Sequence, residues 1–546
     1  MSSEIVDVIV VGCGPVGAIT ANFLGQQGLR TMLLEKDLTT HSQPRAFSCD
    51  DETQRNFRIA GLEGELAITL WDCKSMDYID AKKQVLGSAV FSELDFGNGH
   101  HGLSFFNQPQ MEHVMREGLK RFPHVELRLG HEVESLTQDA EGVTLQVKDR
   151  RTGRSRELRA RYVLGADGSH STIRRLMGST LAGTSYEEPW IAISGTTPTA
   201  EPDFTYYVCD PARPGFVTRG PFNEIRMDLL LHENERTEVM ESPELVNKLM
   251  SPFVDPKLMK LQRASVFTFQ AKVATRWREG RVFILGDAAH VMPPFMGQGL
   301  CSGIRDALNL TWKLALVVRG AAGDSLLDTY EAERRPHATN MIKATIMMGK
   351  VFLARSKFIA AVRNFFLRWS YNNPKTRSFI REFKARPPIR LPNGFISGGK
   401  YKEGSAEGTY FPQPRVGLPG GETVLLDTAL GCRFAVLCLA SVTEPVLGSA
   451  EAFARELNGV LVRVLPADRA SEARPGDVVD VEGKLAAWFA RFKSDTAVVR
   501  PDRYVYGTSS GSGIEKLREQ VRPFIHQASA PRATQEPARA LRISNA

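Results

Sequence analysis

"VDVIVVGCGPVGAITANFLGQQGLRTMLLEK", Val6 to Lys36, is the stretch that decides the fold. Val6 to Val11 is a β-branched run broken only by Asp7, the pattern of a strand buried on both faces of a parallel sheet. It runs into Gly12, Gly14 and Gly17 in G-x-G-x-x-G spacing, with Cys13, Pro15 and Val16 in the variable slots. Gly12 permits the tight turn, Gly14 lets a pyrophosphate approach the backbone, and Gly17 lets the next helix pack closely on the strand. The free amides at the start of that helix point at the phosphates. A second strand, "TMLLE", ends at Glu35, beside Lys36. A carboxylate there accepts hydrogen bonds from a ribose and repels a 2′-phosphate. The spacing predicts an α/β fold in which Gly12, Gly14, Pro15, Val16, Gly17, Glu35 and Lys36 surround a dinucleotide. Cys13 is given no redox role.

The same logic recurs far along the chain in "GRVFILGDAAHVMPPFMGQGLCSGIRDALNLTWKLALV", which starts at Gly280. A short apolar strand, Val282 to Leu285, ends at Gly286-Asp287, and a second turn, Gly297-Gln298-Gly299, precedes a long helix. That helix carries Ile304, Leu308, Trp312 and Ala315 or Leu316 at helical spacing. An NAD-binding unit needs nothing of this kind. A flavin dinucleotide does, because its ribityl chain and ring extend across the sheet, away from the first loop. Asp287 at a strand end can hold a ribityl hydroxyl, and the Gly297–Gly299 amides can face the pyrimidine edge as it takes up charge. Two distant turns for one long ligand point to FAD. A third stretch, "YVLGADGSHSTIRRLMG" from Tyr162, has Asp167-Gly168 between a strand and a helix start. Alone it is only a turn signal. Beside the other two it marks the middle section of a flavoprotein monooxygenase.

The bulk properties fit a soluble multidomain enzyme. The 546 residues allow two to four domains, and the chain is 42% apolar and 24% charged. The net charge of +7 is spread along the sequence, apart from "RTGRSRELRAR" (Arg151–Arg161), which reads as a hairpin turn with a solvated face. No nucleic-acid partner is therefore expected. Seven cysteines without a C-x-x-C pair fit reduced thiols in a cytoplasmic protein, and no metal is expected. Cys432 and Cys438 share one face of "CRFAVLC" about 20 Å apart, too far to bond. No signal peptide and no integral membrane span is read in the chain. "FIAAVRNFFLRW" (Phe358–Trp369) is a basic amphipathic helix. Such a helix lies on a membrane or packs on its own protein or a second subunit; packing is the favoured reading, and it leaves a homodimer open.

Residues 184–269 alternate in polarity ("RMDLLLH", "ASVFTFQ") around a helix-like "SPELVNKLMSPFV". They are assigned to an antiparallel substrate-covering sheet, with part of 72–106 as a further contributor. The dinucleotide domain is thus discontinuous, 1–183 and 270–383. Pro- and Gly-rich residues 384–408 read as a linker. "ETVLLDT", "RFAVLCLA" and "GVLVRVLPA" mark strands of a C-terminal domain over 409–528, and 529–546 lacks apolar periodicity and reads as a disordered tail.

Further stretches carry a resemblance: "PRAFSCDDET" (44–53), "NQPQMEHVMREGLKRFPHVELRLGHEVESL" (107–136), "CDPARP" (209–214), "GIRDALNLTWKLALVVRG" (303–320), "LLDTYEAERRPHA" (326–338) and "RPDRYV" (500–505). With the three loops they resemble the class A, single-component flavoprotein aromatic hydroxylases, relatives of p-hydroxybenzoate hydroxylase. The likeness is greatest to 3-(3-hydroxyphenyl)propionate hydroxylases. The resemblance covers nearly the whole chain. It implies a glutathione-reductase-type FAD domain, an inserted antiparallel β-sheet substrate domain, and a thioredoxin-like C-terminal domain that lacks C-x-x-C and is structural or dimer-forming. It implies that Arg45 and Gln108 touch FAD, that the Val133 backbone lies by the adenine, and that Asp167 touches FAD and the reductant. Pro293 would line the space between flavin and substrate.

The activity so implied is hydroxylation of a phenol ortho or para to its OH. NADH or NADPH docks transiently, O2 is co-substrate, and a flavin C4a-hydroperoxide delivers the oxygen. A closed apolar pocket is required. Candidates for the proton relay are Asp50, Asp51, Tyr206 and Tyr207; the two tyrosines face opposite sides of a strand, so only one can line the pocket. The plainer roles for these residues are helix capping and core packing. His290 is read as a residue of fold and flavin placement, and Arg219 or Arg226 as the partner of a substrate carboxylate. A hydroxyphenylpropionate-like acid is the nearest substrate class, with N-heteroaromatics and polyketide phenols as alternatives. Competing functions are a flavin oxidase or reductase and a non-catalytic flavin-binding redox sensor. The W-x-W-x-I pattern of flavin halogenases is absent.

Overall fold

In the computed structural model, which describes residues 5–40, 46–198, 203–232, 235, 242–384 and 386–525, the opening strand sits at the centre of its sheet. The strand order is Arg278–Glu279, Val282–Ile284, Ser155–Gly165, Val6–Val11, Thr31–Glu35, Val125–Leu129. The inner pairings are parallel, with Val8 opposite both Tyr162 and Thr31. Val8, Ile9 and Val10 are fully buried, which is why this run carries no alternation. The basic segment is the turn and second arm of a hairpin pairing Val143–Asp149 with Ser155–Gly165. Its turn residues are exposed.

The first helix, α1 (Pro15–Gln26), opens directly on the glycine loop. Helix α2 (Asp51–Ile59) follows the segment after residue 45. Helix α3 (Gln298–Val318) starts at the second glycine turn and is buried over almost its whole length. It packs against α1 and against α4 (Ser325–Phe352). Two shorter helices, α5 (Lys357–Asn372) and α6 (Arg377–Arg381), lead out of the flavin-type domain.

A second sheet covers the first domain, in the order His290–Val291, Lys260–Ala274, Leu181–Thr196, Glu224–Leu230, Gly215–Arg219, Thr205–Val208, Met76–Ile79, Val85–Ala89. Its two long strands, 181–196 and 260–274, pair along most of their length and run back into the first domain. Met76–Ile79 and Val85–Ala89 form an edge hairpin of this sheet, joined in parallel through Met76–Ile79 to Thr205–Val208. "SPELVNKLMSPFV" forms the helix Pro243–Met250, capped by Ser242.

The C-terminal domain has Val460–Pro466, Ala435–Leu439, Thr496–Val499 and Val505–Ser509 side by side. The first pair is parallel and the others antiparallel, with helices Glu444–Glu456 and Ile514–Val521 on the sheet. This is the thioredoxin arrangement, extended by three further strands at one edge. Cys432 and Cys438 are both free thiols.

The 384–408 segment is more than a tether. Arg390 bridges to Thr409, Asn393 bridges to Lys400, and Leu391 and Phe395 are buried. The C-terminal domain is fastened to the first through buried ions. Glu333 on α4 receives Lys313 at 2.7 Å and Arg500 at 2.8 Å, and Arg500 also reaches Asp502 at 2.6 Å. Asp427 receives Arg55 from α2 at 2.8 Å and Arg503 at 2.9 Å. The "RPDRYV" stretch is therefore an inter-domain clamp. Among the described residues no helix is long and apolar enough to cross a membrane, and no cluster of side chains could hold a metal ion. The tail 529–546 lies outside the described residues.

Candidate active site

The three sequence loops converge. A Cβ on Gly12, whose φ is +98°, would fall 2.6 Å from the carbonyl oxygen of Ala166, so the first and third loops touch through a position only glycine can fill. A Cβ on Gly303 would meet Val16 at 2.6 Å and the Cα of Gly286 at 3.1 Å, which locks α1, the Gly286 turn and α3 together. At Gly14, by contrast, a Cβ would meet nothing within 4 Å. The N-terminus of α1 thus opens on empty space, with no side-chain cap on its amides, and Gly297 likewise leaves the start of α3 uncapped. Both are cradles of the kind phosphates and a flavin pyrimidine edge require. The residues fit FAD.

Glu35 Oε2 accepts a hydrogen bond from Cys13 N at 2.7 Å, so the acid is drawn onto the glycine loop, while Lys36 is exposed at the strand end. Arg116 donates to the Cys13 carbonyl at 2.8 Å and lies 3.6 Å from Glu112. Gln108 donates to Glu112 at 2.7 Å and accepts from Ala46 N at 2.8 Å. It therefore fixes the chain just after Arg45, itself outside the described residues. Val133 is buried on the strand His131–Gln138. Asp167 accepts from Thr172 N at 2.7 Å, from Ile173 N at 3.1 Å and from the Ser171 hydroxyl, so its carboxylate caps the helix Thr172–Leu176. Burial pushes its pKa up. Asp287 sits half-buried just beyond the strand Val282–Ile284. His290 is buried 2.6 Å from Asp306, which also holds Arg334 at 2.8 Å and the Gly286 amide at 3.1 Å. Burial raises the Asp306 pKa, but His290 and Arg334 outweigh it and leave the carboxyl below its ordinary range. This group sets the Gly286 turn.

Beyond the second turn lies a cavity enclosing about 1100 Å³ of space, its mouth included. Its wall begins at Pro294, one residue past Pro293, and takes in Gly297 and Gln298. The rest is chiefly aromatic and Met. Trp190, Phe269 and Phe295 form one cluster, with centroids 5.0 to 5.6 Å apart, and Phe47, Phe105 and Phe216 form another. Such walls hold a flat ring by its faces and edges and keep water out.

The polar groups in this wall are few. Asp50 caps α2 through Thr53 N at 2.9 Å and faces Gln298 at 3.2 Å, Arg305 and, at 3.6 Å, Arg386. Burial raises its pKa, but the Arg305 and Arg386 guanidiniums outweigh burial and hold it well below the carboxylate range. Asp50 is a fixed anion and a weak base. Asp51 is fully enclosed, bound by Asn98 at 2.6 Å and Arg386 at 2.5 Å; burial and the Asp50 charge raise its pKa, and it takes no part in the wall. Of the tyrosines, Tyr207 lines the cavity and donates to the Phe295 carbonyl; Tyr206 turns away to stack on Phe204 at 5.0 Å. Arg219 lies outside the wall, donating to Thr197 at 2.9 Å and covering Phe204. Arg226 stands behind the wall, 4.2 Å over Phe47 and 3.2 Å from Asp228, which does line it.

The charged or ionisable wall residues that escaped the sequence reading are Asp228, Arg305, His337 and Arg386. Arg305 stands two helical turns after Gln298, so a search along α3 for polar residues on the Gln298 face finds it. His337 shares a face of α4 with Met341 and Met348. It is buried, forms no hydrogen bond among the described residues, and its Nδ1 has no partner. Burial, then Arg334 and Arg305, drive its pKa well below the ordinary histidine value, so the ring is neutral. Arg386 comes from an irregular Pro-rich stretch that carries no periodic signal. Its Nη2 makes no hydrogen bond but lies 3.6 Å from Asp50, while Nη1 holds Asp51.

Residues 5–345 match the FAD binding domain family, and residues 408–523 match the HcaD C-terminal domain. The chain is 36% identical to a 3-(3-hydroxy-phenyl)propionate/3-hydroxycinnamic acid hydroxylase of Mycolicibacterium smegmatis, over 95% of this chain and 93% of that one. The protein of the same description from Paraburkholderia xenovorans is 34% identical, over 92% and 88%. Among solved structures, the flavin-dependent monooxygenase PieE superposes with a TM-score of 0.78 at 22% identity, covering 95% of this chain and 99% of that one. Aklavinone-11 hydroxylase superposes with a TM-score of 0.78 at 23% identity, over 96% and 99%. Fold, loop geometry and full-length similarity agree: the chain belongs to the FAD-dependent aromatic monooxygenases.

Proposed function

We propose that this enzyme hydroxylates the ring of a small phenolic acid of the hydroxyphenylpropionate class, ortho or para to its hydroxyl, with NADH or NADPH and O2. The observation that carries the reading is the aromatic cavity that opens from the Gly297–Gln298 turn and holds one neutral, unpartnered base, His337. Bound FAD supplies the reductive activation of O2 and the transfer of one oxygen atom. Gly12, Gly14, Pro15, Val16, Gly17, Glu35 and Gln108 hold its dinucleotide end; Asp287, Gly297, Gln298 and Gly299 hold its ribityl and ring end.

The side chains do the rest. His337 accepts the substrate O–H and so leaves more electron density on the ring carbons to be attacked. Arg386, held between Asp50 and Asp51, is the wall cation that turns toward the substrate carboxylate. The fixed Asp50–Arg305 pair keeps the polar end of the cavity organised without itself changing protonation. Tyr207, tied to the Phe295 carbonyl, shapes the wall. Dryness matters because water in the cavity would divert the activated oxygen to hydrogen peroxide.

The test is a panel of 3-(3-hydroxyphenyl)propionate, 3-hydroxycinnamate, uncharged phenols and larger fused phenols, scored for NAD(P)H oxidation, peroxide and hydroxylated product. The reading expects the monocyclic acids to stimulate turnover most and to give a dihydroxylated ring. Preference for fused or uncharged rings would transfer the assignment to another phenol class. Oxidation of NAD(P)H without product would contradict it.

A further inference from the structure

Helix α5 is built inside out for a monomer. Its inward face carries Ala360 and Arg363, both buried, with the Arg363 guanidinium donating to the Phe352 carbonyl at 2.7 Å and to that of Cys209. Its outward face carries Phe358, Ile359, Val362, Phe365, Phe366 and Trp369, from 41% to 78% exposed. The sequence pattern favoured packing on the protein itself or on a second subunit; the structure removes the first. Val351 at the end of α4 and Phe379 on α6 are exposed as well.

The six outward side chains leave roughly 700 Å² of apolar surface in water, taking ~200 Å² as the full area of a large ring. The largest such patch on an ordinary monomer is about 300–600 Å². A stable interface covers about 800 Å² on each partner. One helix face therefore offers nearly the area a dimer needs.

The face is also self-complementary. Beside the projecting Phe365 runs an open groove lined by Ala361, Asn364, Arg368, Trp369, Asn372 and Asn373. A two-fold contact requires knob and hollow on the same patch, because each copy presents the same surface to the other. The asparagine amides decide between a second copy and a bilayer. In hydrocarbon they would lose their water partners at a cost of a few kcal/mol each; across a two-fold axis they can pair with each other. We infer that α5 is the interface of a homodimer, in which the Phe365 and Phe366 of each copy enter the Asn364–Trp369 groove of the other.

The test uses the full-length, FAD-loaded protein. Light scattering after size exclusion at micromolar concentration should give twice the 60.5 kDa mass of one chain. The variant Phe365→Asp/Phe366→Asp should give the single-chain mass with unchanged flavin absorbance and far-ultraviolet circular dichroism, since both side chains are exposed on the single chain. Val362→Cys should form a covalent dimer on mild oxidation; the native thiols give little background, six being buried and Cys432 half-buried. A wild-type monomer would overturn the inference, as would a double Asp variant that still dimerises. So would a monomer that floats with phosphatidylcholine–phosphatidylglycerol vesicles, which would make lipid the occupant of the face.

Discussion

On the proposed reading Asp50 and His337 divide the polar work of the cavity; burial disfavours the charged form of both, and the neighbouring guanidiniums oppose burial at Asp50 and reinforce it at His337. Two guanidiniums keep Asp50 ionised, so it should contribute no acid limb to the pH–rate profile at mildly acidic pH. Asp50→Asn should lower turnover by perturbing Arg305, not by moving a pKa seen in that profile. His337 has no counter-ion in contact and stays neutral, an acceptor across the working range. His337→Phe should raise the KM for the phenol roughly two- to twelvefold, the worth of one net hydrogen bond of about 0.5–1.5 kcal/mol, and should raise the fraction of turnovers ending in peroxide. Steady-state kinetics with a peroxide assay check both. The sequence offers Asp50 because it lies just after Arg45 in the stretch 44–53, but capping and catalysis use the same residue type. It offered Tyr206 and Tyr207 as exclusive alternatives, since alternation separates two neighbours without saying which side is which. The long-range fact that Tyr207 faces Phe295 chooses between them. His337 was missed because a histidine on a helix face looks the same whether the helix borders core or cavity.

At the scale of elements, glycine spacing was the most legible feature, because each loop has a local geometric need that shows in the residue type. What the spacing cannot show is that Val16, Gly286 and Gly303 meet, although they come from three segments. Gly303→Val tests that contact. A side chain there has no room, and overpacking of this kind costs about 1–3 kcal/mol. The expected outcome is a lower melting temperature and weaker FAD retention, read by thermal denaturation and flavin fluorescence. Helix α5 marks a different limit: periodicity reveals that one face is apolar, not what covers it. The 384–408 segment marks another. Its Pro and Gly content correctly denies it a helix or long strand, yet irregular backbone can still line a cavity, as Arg386 does.

For the whole molecule, the domains are held as one body by buried charge. Burial raises the pKa of Glu333, but Arg500 and Lys313 outweigh it and hold it at about 2, against an ordinary 4.5. Its folded pKa is depressed, so the stability it supplies is present above about pH 4.5 and is lost as the pH falls towards 2. At about 1.4 kcal/mol per pKa unit that is about 3 kcal/mol. Glu333→Gln should cost about 3–5 kcal/mol, leaving Lys313 buried without its counter-ion and Arg500 with Asp502 alone, and should flatten this acid limb in denaturant titrations. The family likeness placed "RPDRYV" in the chain; its partners Glu333 and Asp427, both far from it in sequence, are set by how the chain folds back on itself. On the proposed reading, one atom of O2 enters a phenol held in the aromatic cavity, beside the glycine turns that would hold FAD. The most direct measurement is turnover of 3-(3-hydroxyphenyl)propionate under isotope-labelled dioxygen in unlabelled water, followed by mass spectrometry. The account predicts one labelled oxygen in each product molecule. Unlabelled product, or labelled hydrogen peroxide with no ring hydroxylation, would contradict it.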